Sequence, residues 1–496
     1  MIFYNLKKFL SLLIGFTLLT SSCDATDETS PDIDYGMEHH DIVIVGAGIS
    51  GLTCGHFLGN RDFVILEKNN KVGGRAVSGL KNNFTYAKGA EYLGKPEYAL
   101  AKMIKQLNLT PREIPFPMDA YFDGNQFYYG TEGLERYLIT GSSVSEYKRF
   151  IRLLLNSYDK YEDVPDLVYS SWARNLDYTN AETWLKNNAI PDIYIRKYNV
   201  SSRGLFGASL SEISALSFIP EAAFDYDESD LSGISADFDI NNEYANALKE
   251  KSESYSFTKG LTELTDRLGE IMNSRIRLNS TVSEVRKEGD KYIVSYSNKE
   301  GEQQTILANN VVLAIPLPLA LRIAPELITD EKKTIIEQVE YSSYATVALF
   351  SKTPVFDKAF DLAVPDNYFF TDIYDATWIE RFYDKNKKPD TYIISVYIAP
   401  QSYTDHSLDR MTDSELLQKV YTDLDKVFPG ASEKITGYDI EHFPYAYPVM
   451  TPGAYERLLR LDKLNNGSFI LAGDGIIYPT FESAVESGYL AADKLK

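Results

Sequence analysis

The pattern of hydrophobic positions predicts that folding begins near residue 41. Asp41–Val45 (DIVIV) is a short β-branched run, typical of a buried strand in a parallel sheet. It is followed by the segment GAGISG, by an apolar stretch at Leu52–Leu58 that predicts a helix, and by a second β-branched run that ends at Glu67. This order predicts a strand–helix–strand unit at the start of the folded chain.

Helical and strand-like patterns alternate through the middle of the chain. A helix is predicted over Lys95–Leu109, where apolar residues share one face, and residues 145–249 look mainly helical. Tyr292–Tyr296 and Thr305–Ala314 have the pattern of strands, with Gly301 in the turn between them. The mixture predicts a protein of the α/β class.

The C-terminal third has the same mixture. The strand-like runs TVALF and YIISVYIA occur between about residue 329 and residue 442, where a helix is predicted at Ser414–Phe428. The run SFILAGD is the last predicted strand, and a helix from Phe481 to the end closes the chain.

The first 23 residues do not belong to this pattern. Lysines precede an apolar run at Phe9–Leu19, and small polar residues then lead to Cys23. A charged start, a short apolar stretch and a small-residue cleavage site are typical of an export signal, and the run is too short to span a membrane. The cysteine after Ser-Ser resembles the lipobox of bacterial lipoproteins, although Leu19 lies one place further from it than usual. We therefore expect residues 1–22 to be a signal peptide and Cys23 to be lipidated; an ordinary cleaved signal is the alternative.

Residues 23–39 are rich in carboxylates and have no apolar periodicity, which predicts a solvated acidic tether. With a lipid on Cys23, this tether would anchor the protein to a membrane of the cell envelope, facing the periplasm or the cell surface. The folded part would then begin at about residue 40.

Length and charge narrow the possible functions. A chain of 496 residues is too long for a single core, so two or more domains are expected. The formal net charge of −21 argues against a nucleic-acid partner, whose phosphates would be repelled. It is compatible with a cationic small-molecule substrate, although an acidic surface that keeps the protein soluble explains the charge more simply.

The cysteines and histidines show no metal-ligand spacing, so we predict no metal.

Gly46, Gly48 and Gly51 form the spacing GxGxxG between the first predicted strand and its helix. The first glycine permits a tight turn, the second lets the backbone approach a pyrophosphate, and the third lets helix and strand pack closely. Phosphates would then lie at the helix N-terminus, at Ile49 and Ser50, where free N–H groups favour anions.

Glu67 supports the same interpretation. It ends the second strand, at about the spacing from the glycines that is expected for an acid that binds ribose. The glycines and Glu67 together predict a dinucleotide cofactor.

A second glycine motif distinguishes between NAD and FAD. The sequence KNNKVGGRA follows Glu67 and contains Gly73, Gly74 and Arg75. Two glycines let the backbone press on a cofactor, and an arginine can neutralise diphosphate charge. The motif resembles the Gly-Gly doublet of the flavin amine oxidase superfamily, which includes monoamine and polyamine oxidases, L-amino-acid oxidases, protoporphyrinogen oxidase and carotene desaturases. The resemblance implies FAD as the cofactor.

The resemblance extends over most of the chain after residue 40. TYAKGAEYLG, with Gly89, Ala90 and Glu91, resembles the family segment that passes close to the flavin ring. Val282 takes the position whose backbone meets adenine. The C-terminal LAGDGIIYPTFESAVESGYLAADKL resembles the closing flavin motif of the family, and its candidate contacts are Gly473, Asp474, Thr480, Phe481 and Ser483.

Two features of the closing motif have a physical meaning. Asp474 replaces the more frequent glutamate beside a phosphate or ribityl group. Thr480 can cap a helix that begins at Phe481, and the free N–H groups of that helix would face the pyrimidine edge of the flavin and stabilise its reduced form.

The resemblance implies a Rossmann-type FAD-binding domain interleaved with an α+β substrate domain. The FAD-binding domain would consist of residues 40–95, 255–325 and 462–496. The substrate domain would consist of residues 96–254 and 326–461.

Two departures from the family pattern bear on the chemistry. Amine oxidases of this family place a lysine a few residues after the AIP-type strand, where it holds a water near flavin N5, and Arg322 takes this position here. We expect Arg322 to bind an acidic group in the site, or to point to the surface. Covalent attachment in some members uses a cysteine near the C-terminus, and no cysteine follows Cys54, so the FAD should be noncovalent. Tyr478, within the closing motif, is the best tyrosine candidate for the substrate pocket.

The favoured function is therefore oxidation of a C–N bond of an amine or amino acid by hydride transfer to noncovalent flavin. One alternative is oxidation, desaturation or isomerisation of C–C bonds in a hydrophobic substrate, because the spacing of the closing motif is nearer to the desaturase-like branch. An alternative of another class is a noncatalytic flavin or ligand binder at the cell surface.

Overall fold

The computed structural model describes residues 37–496 except for 117, 164–169, 225, 233–240, 242–243, 246, 248, 250 and 388–389. The predicted signal peptide, Cys23 and most of the predicted tether lie outside the described residues.

The strands are, in chain order, β1 (Glu38–Val45), β2 (Phe63–Leu66), β3 (Ser78–Lys81), β4 (Phe84–Ala87), β5 (Leu93–Gly94), β6 (Arg112–Glu113), β7 (Asp119–Phe122), β8 (Phe127–Tyr129), β9 (Ser254–Ser256), β10 (Ile276–Arg277), β11 (Thr281–Glu288), β12 (Lys291–Ser297), β13 (Gln303–Leu313), β14 (Tyr341–Ser351), β15 (Asp361–Ala363), β16 (Asp372–Asp375), β17 (Tyr392–Ile398), β18 (Ile435–Pro448) and β19 (Phe469–Leu471).

The α-helices of the described residues are α1 (Ile49–Leu58), α2 (Tyr98–Gln106), α3 (Gly130–Thr140), α4 (Val144–Asp163), α5 (Ser171–Asp177), α6 (Ala181–Asn187), α7 (Asp192–Phe206), α8 (Ala215–Phe224), α9 (Thr262–Ile271), α10 (Leu317–Ile323), α11 (Asp330–Ile336), α12 (Trp378–Tyr383), α13 (Asp413–Val427), α14 (Ala454–Leu464) and α15 (Phe481–Lys494). Among the described residues, no helix has the length and apolar character needed to cross a membrane.

The first sheet has seven strands in the order β10–β2–β1–β13–β12–β11, and β19 also pairs with β13. β1 runs parallel to both β2 and β13, and β19 runs parallel to β13. Two strands pair with the edge of β13 that faces away from β1. β12 pairs with the first part of β13, and β19 pairs with its last residues. This sheet therefore brings the start, the middle and the end of the chain together, as expected for a Rossmann-type unit.

The predicted strand–helix–strand unit is confirmed, but both its strand and its helix begin earlier than predicted. β1 begins at Glu38 rather than Asp41, because Glu38, His39 and His40 pair with β13. The sequence of these residues lacks the alternation of polar and apolar positions that predicts a strand. They adopt a strand conformation because they pair with β13, which is distant in sequence. The helix α1 begins at Ile49, directly after the glycine-rich loop, rather than at Leu52.

The other predicted elements are present with small shifts in their ends. The predicted helix at Lys95–Leu109 is the shorter α2, which ends before Asn108 because that residue has a φ of 56°. The helix predicted at Ser414–Phe428 is α13, which Thr412 caps with a capping box. The described part of residues 145–249 is helical, as predicted, and contains α4 to α8.

The second sheet also has seven strands, in the order β18–β14–β17–β16–β15–β7–β8. Apolar residues of one face, among them Leu362, Ile373 and Val396, pack with α13 residues such as Leu416 in one core. The opposite face carries polar and aromatic side chains. Helices α4 to α8 and α14 form a further core with Tyr478. Strands of the two sheets alternate along the chain, which is compatible with interleaved domains; the domain boundaries given above remain a prediction.

Candidate active site

Two glycines of the loop after β1 lie too close to backbone atoms to carry a side chain. Gly46 has a φ of 101°, and a Cβ there would lie 2.5 Å from the Ala314 carbonyl oxygen. A Cβ on Gly51 would lie 2.0 Å from the Gly46 carbonyl oxygen. The turn and the close packing of α1 therefore both require glycine, as the fingerprint predicted.

Gly48 is different, because nothing in the chain itself demands a glycine there. Its φ of −70° is ordinary, and a Cβ would find only the Gly74 Cα, at 4.0 Å. Beside it, the hydroxyl of Ser50 is buried and has no hydrogen-bond partner. Open space and an orphaned hydroxyl at the N-terminus of α1 fit a bound phosphate group.

The Gly-Gly-Arg turn lies directly against this loop. The Gly73 N–H donates to the Ala47 carbonyl at 2.9 Å. A Cβ on Gly74 would lie 3.1 Å from the Gly48 Cα, and Gly73 and Gly74 both have positive φ. We call Gly46–Gly51 and Gly73–Arg75 together the nucleotide cradle.

Glu67 is buried directly after β2, and its carboxylate contacts the cradle through hydrogen bonds to backbone N–H groups. One carboxylate oxygen accepts a hydrogen bond from the Ala47 N–H at 2.8 Å, and the other accepts one from the Asn69 N–H at 2.9 Å. The carboxylate therefore lies beside the loop, where the sequence predicts a contact with the ribose of the cofactor. Val282 lies on β11, at a bulge in its pairing with β12, and is partly buried.

Arg75 and Asp474 form a bidentate ion pair, which joins two residues that were predicted separately as cofactor contacts. The two Arg75–Asp474 distances are 2.7 and 2.8 Å, and Arg75 also donates to the Ala446 carbonyl at 2.6 Å. Burial alone would lower the pKa of Arg75, but Asp474 holds it above its usual value. Arg75 therefore joins the cradle to the closing motif, and its predicted contact with the diphosphate stays a prediction.

The closing motif has the predicted cap. The Thr480 hydroxyl accepts a hydrogen bond from the Ser483 N–H at 3.2 Å, and α15 begins at Phe481. The two hydroxyls of Thr480 and Ser483 are 2.9 Å apart. Gly473 has a φ of 134°, and a Cβ there would meet nothing within 4 Å, which again leaves space beside the motif.

Gly89 and Ala90 lie on top of the Gly-Gly-Arg turn. The Ala90 N–H donates to the Arg75 carbonyl at 2.9 Å, and a Cβ on Gly89 would lie 2.0 Å from that same oxygen. The structure therefore brings this segment, the cradle and the closing motif to one place.

The structure gives the surroundings of the two sequence candidates for catalysis. Arg322 is on helix α10 and its side chain is exposed. The expectation that it binds an acidic group in the site is therefore wrong, and the surface alternative holds. Tyr478 is buried in the helical core, where its ring stacks on Tyr455 at 5.6 Å. Its place in the substrate pocket stays a prediction.

Glu91 is the residue whose environment is most unusual here. The residue is partly exposed, whereas its carboxylate lies deep within the protein. Burial raises its pKa to about 7, against the opposing effect of the Tyr397 hydroxyl. That hydroxyl lies 2.7 Å from both Glu91 Oε2 and the Gly89 carbonyl oxygen.

Further carboxylates on the second sheet were not predicted as site residues. Asp119, Asp361 and Asp372, which we call the carboxylate wall, lie on neighbouring strands; Asp372 is buried, Asp361 is half-buried and Asp119 is exposed. The sequence does contain a signal: each is an aspartate at the beginning or end of a short apolar strand pattern, in MDAYF, FDLAV and TDIYD.

A family model described as flavin containing amine oxidoreductase matches residues 49–496. This protein therefore belongs to that family, with FAD as its cofactor. The chain spans 58% of the length of the curated amine oxidases that it matches.

Individual relatives are distant. Amine oxidase [flavin-containing] A of Equus caballus is 22% identical over 333 residues, which cover 64% of this chain and 58% of that protein. Putrescine oxidase, in a structure with bound putrescine, is 17% identical with a TM-score of 0.66, covering 92% of this chain and 99% of that one. A fatty acid isomerase from P. acnes that produces CLA is 15% identical with a TM-score of 0.62, covering 92% and 97%. These structures establish the fold alone.

Proposed function

We propose that this protein oxidises the C–N bond of a cationic amine with noncovalently bound FAD. The observation that carries the proposal is Glu91, a carboxylate deep within the protein and directly after the Gly89–Ala90 segment, which resembles the family's flavin-contacting segment. An ionised carboxylate in a desolvated place attracts an ammonium group, and a hydrophobic substrate would leave its charge without a counter-charge.

The cofactor supplies the hydride acceptor when bound, and the chain's residues hold the cofactor and handle the proton. The nucleotide cradle receives the diphosphate and Glu67 the ribose. An amine must lose a proton before it can give up a hydride, and Glu91 Oε2 is placed to receive it. Once protonated, Glu91 donates to the Tyr397 oxygen while the Tyr397 hydroxyl donates to the Gly89 carbonyl, so every partner is satisfied.

Noncovalent binding is part of the proposal. Cys54 is the free cysteine of the described residues, and it is fully buried within α1, where burial raises the pKa of its thiol to about 12. Acid precipitation should therefore release all flavin into the supernatant. Yellow colour that stays in the pellet would contradict noncovalent binding.

A second candidate is oxidation or isomerisation of C–C bonds in a hydrophobic substrate. It is favoured by the short spacing of the closing motif and by the fold shared with a fatty acid isomerase. Anaerobic addition of primary amines to the purified holoprotein separates the candidates, because an amine substrate bleaches the oxidised flavin absorbance. Bleaching by an unsaturated fatty acid or another hydrophobic donor alone would favour the second candidate. Flavin that no substrate bleaches, with no isomerised product detected, would indicate a noncatalytic binder.

We also propose that the protein is anchored at the cell envelope through a lipid on Cys23. Stable anchoring needs more than one acyl chain, which a bacterial lipoprotein has. Cys23→Ser should move the protein from the membrane fraction to the soluble fraction. Unchanged fractionation of the serine variant would contradict the anchor.

A further inference from the structure

One edge of the second sheet is a long strand with little protection against pairing. β18 has 14 residues and pairs with β14 alone, so no strand of the described residues pairs with its outer edge. Proteins commonly protect such an edge with proline or with charged side chains, above all lysine. The part at 437–442 follows β14 without a bulge and contains neither proline nor lysine, and Lys88 neutralises its Asp439 and Glu441. This edge therefore presents backbone N–H and C=O groups to which another strand can pair.

A groove runs beside this edge, between β18 and helix α13. Its volume is about 640 Å³, and one side of α13 lines it along the length of the helix. Asp413, Leu417, Tyr421 and Asp425 line that side at intervals of four residues, the spacing of neighbours on a helix surface. Tyr438 lines the groove from β18, and 51% of it is exposed. A groove beside an open strand edge suits an extended peptide, which adds a strand to the sheet and directs alternate side chains into the groove.

The charges of α13 are separated between its sides. Among the described residues that line the groove are the carboxylates of Asp413 and Asp425, and no lysine or arginine. Lys419 and Lys426 of the same helix each lie over an aromatic ring outside the groove. Asp425 accepts hydrogen bonds from the N–H and the hydroxyl of Ser432, which are both neutral donors. The groove is therefore anionic, and its charge favours a cationic ligand.

The spacing of the groove residues defines the ligand further. Asp413 and Asp425 are twelve residues apart on α13, which is roughly 18 Å along the helix axis. Tyr421 lies between them on the helix, and burial and the neighbouring Tyr438 both raise the pKa of Tyr421. Six residues of an extended strand span roughly 20 Å, and residues an even number apart point to the same side. A strand with two cationic side chains six residues apart, and apolar side chains between them, therefore matches the groove.

We propose that the groove between α13 and β18 binds an extended segment of a partner protein, which adds a strand to β18. The segment places a lysine or arginine beside each of Asp413 and Asp425, and its apolar side chains contact Tyr421 and Tyr438. The acidic tether at 23–39 is a poor occupant, because it contains neither lysine nor arginine. A second copy that paired through β18 would line one groove with the carboxylates of both copies, which the repulsion between like charges disfavours.

The test uses two synthetic peptides of identical composition, both acetylated and amidated. The peptide KTVTVTK has both lysines on one side of an extended strand, whereas KTVTVKT has them on opposite sides. We expect the holoprotein to bind the first peptide with a Kd about fivefold lower in isothermal titration at physiological ionic strength, the scale of one surface ion pair. The peptides carry the same charge, so attraction to the net charge of −21 affects both equally.

Substitutions of two exposed side chains locate the binding site. Tyr438→Ser should weaken the binding of KTVTVTK about tenfold, as for an aromatic residue at the centre of an interface, and Asp413→Asn should weaken it about threefold. Tyr178→Ser, at a tyrosine of which 54% is exposed, and Asp290→Asn, in the turn between β11 and β12, are the matched controls. Both controls should leave the Kd unchanged, because neither position lines the groove.

The other outcomes would overturn the proposal. Equal Kd values for the two peptides would mean that only the net charge attracts them, and unchanged binding in the Tyr438→Ser variant would place the peptide elsewhere. Failure of both peptides to bind would exclude a peptide of this chemistry from the groove. If the purified protein is then a dimer that Tyr438→Ser converts into monomers in sedimentation velocity, the groove is occupied by a second copy of this chain.

Discussion

The nucleotide cradle takes its shape from glycines and backbone atoms that are close together in the sequence, whereas the carboxylate wall takes its charge from side chains on three separate strands. In the cradle, residues 46–51 and 73–75 contact each other through backbone atoms. In the wall, Asp119 and Asp361 are far apart in sequence and become neighbours only through strand pairing.

The difference teaches how each region depends on its ligand. Gly48 and Ser50 leave a space and an unused hydroxyl, which cost the free chain little. Burial raises the pKa of Glu91 to about 7 and that of Asp361 well above its ordinary value, so burial disfavours the charged form of each in the free protein. The cradle therefore depends on backbone shape, whereas the charge of Glu91 and Asp361 depends on protonation.

The largest effect should come from filling the cradle. Gly48→Val places a side chain in the space beside Gly74, with no clash inside the chain, so the protein should fold but bind no detectable FAD. Flavin content per purified chain, measured by absorbance, checks this. Gly437→Val is the control, because a Cβ there makes ordinary contact with Phe350 at 3.5 Å in a strand. A yellow Gly48→Val protein would refute the assignment of this space to the cofactor.

The next largest effect is expected at Glu91, the proposed proton acceptor. Glu91→Gln should lower kcat/KM for a cationic amine about 100-fold at pH 8, the usual scale for losing a general base. In the native protein, kcat/KM should rise with pH and level off above about pH 7, because the Glu91 carboxylate is ionised only above its raised pKa. The variant should lack this step. Glu284→Gln, an exposed change on β11, should behave as the native protein.

Stability supplies an independent check on Glu91. The folded protein binds this proton more tightly than the unfolded chain, since the pKa rises from 4.5 to about 7. The ionised carboxylate therefore lowers the free energy of unfolding above pH 7, by up to roughly 3 kcal/mol, and this loss disappears as the pH falls towards 4.5. Glu91→Gln should be more stable than the native protein at pH 8 and equal to it near pH 4.5. Equal stability at both pH values would show that Glu91 is not desolvated.

A smaller effect is expected at the N-terminus of α15, which we expect to point at the flavin ring. Phe481→Pro removes one N–H at the first helical position, which proline tolerates. The midpoint potential of the flavin should fall by about 20 mV, equivalent to roughly 1 kcal/mol for a two-electron couple. Asp330→Pro, at the first position of α11, is the matched control. An unchanged potential would mean that the helix does not point at the ring.

The smallest effect is expected at Arg322. Its side chain is exposed on α10, so Arg322→Lys should leave the rate of flavin reoxidation by oxygen unchanged within about twofold. Stopped-flow mixing of the reduced protein with oxygenated buffer measures this rate. A clear increase in the lysine variant would return Arg322 to the site.

Much of the cradle could be predicted because its physics is local. The GxGxxG spacing, the Gly-Gly-Arg turn and the Thr480 cap each depend on backbone conformation within a few residues, and these local requirements leave a pattern in the sequence. The extra residues of β1 could not be predicted, because their strand conformation depends on pairing with β13.

The sequence alone determined the class of cofactor, the βαβ unit and the order of the elements, since backbone propensity and glycine geometry act at short range. Only the tertiary structure decided which charged side chains contact each other and which are exposed to solvent. It paired Arg75 with Asp474, turned Arg322 to the solvent, and brought Glu91 to Tyr397. Electrostatic environments depend on burial and on neighbours distant in sequence, so no local pattern contains them.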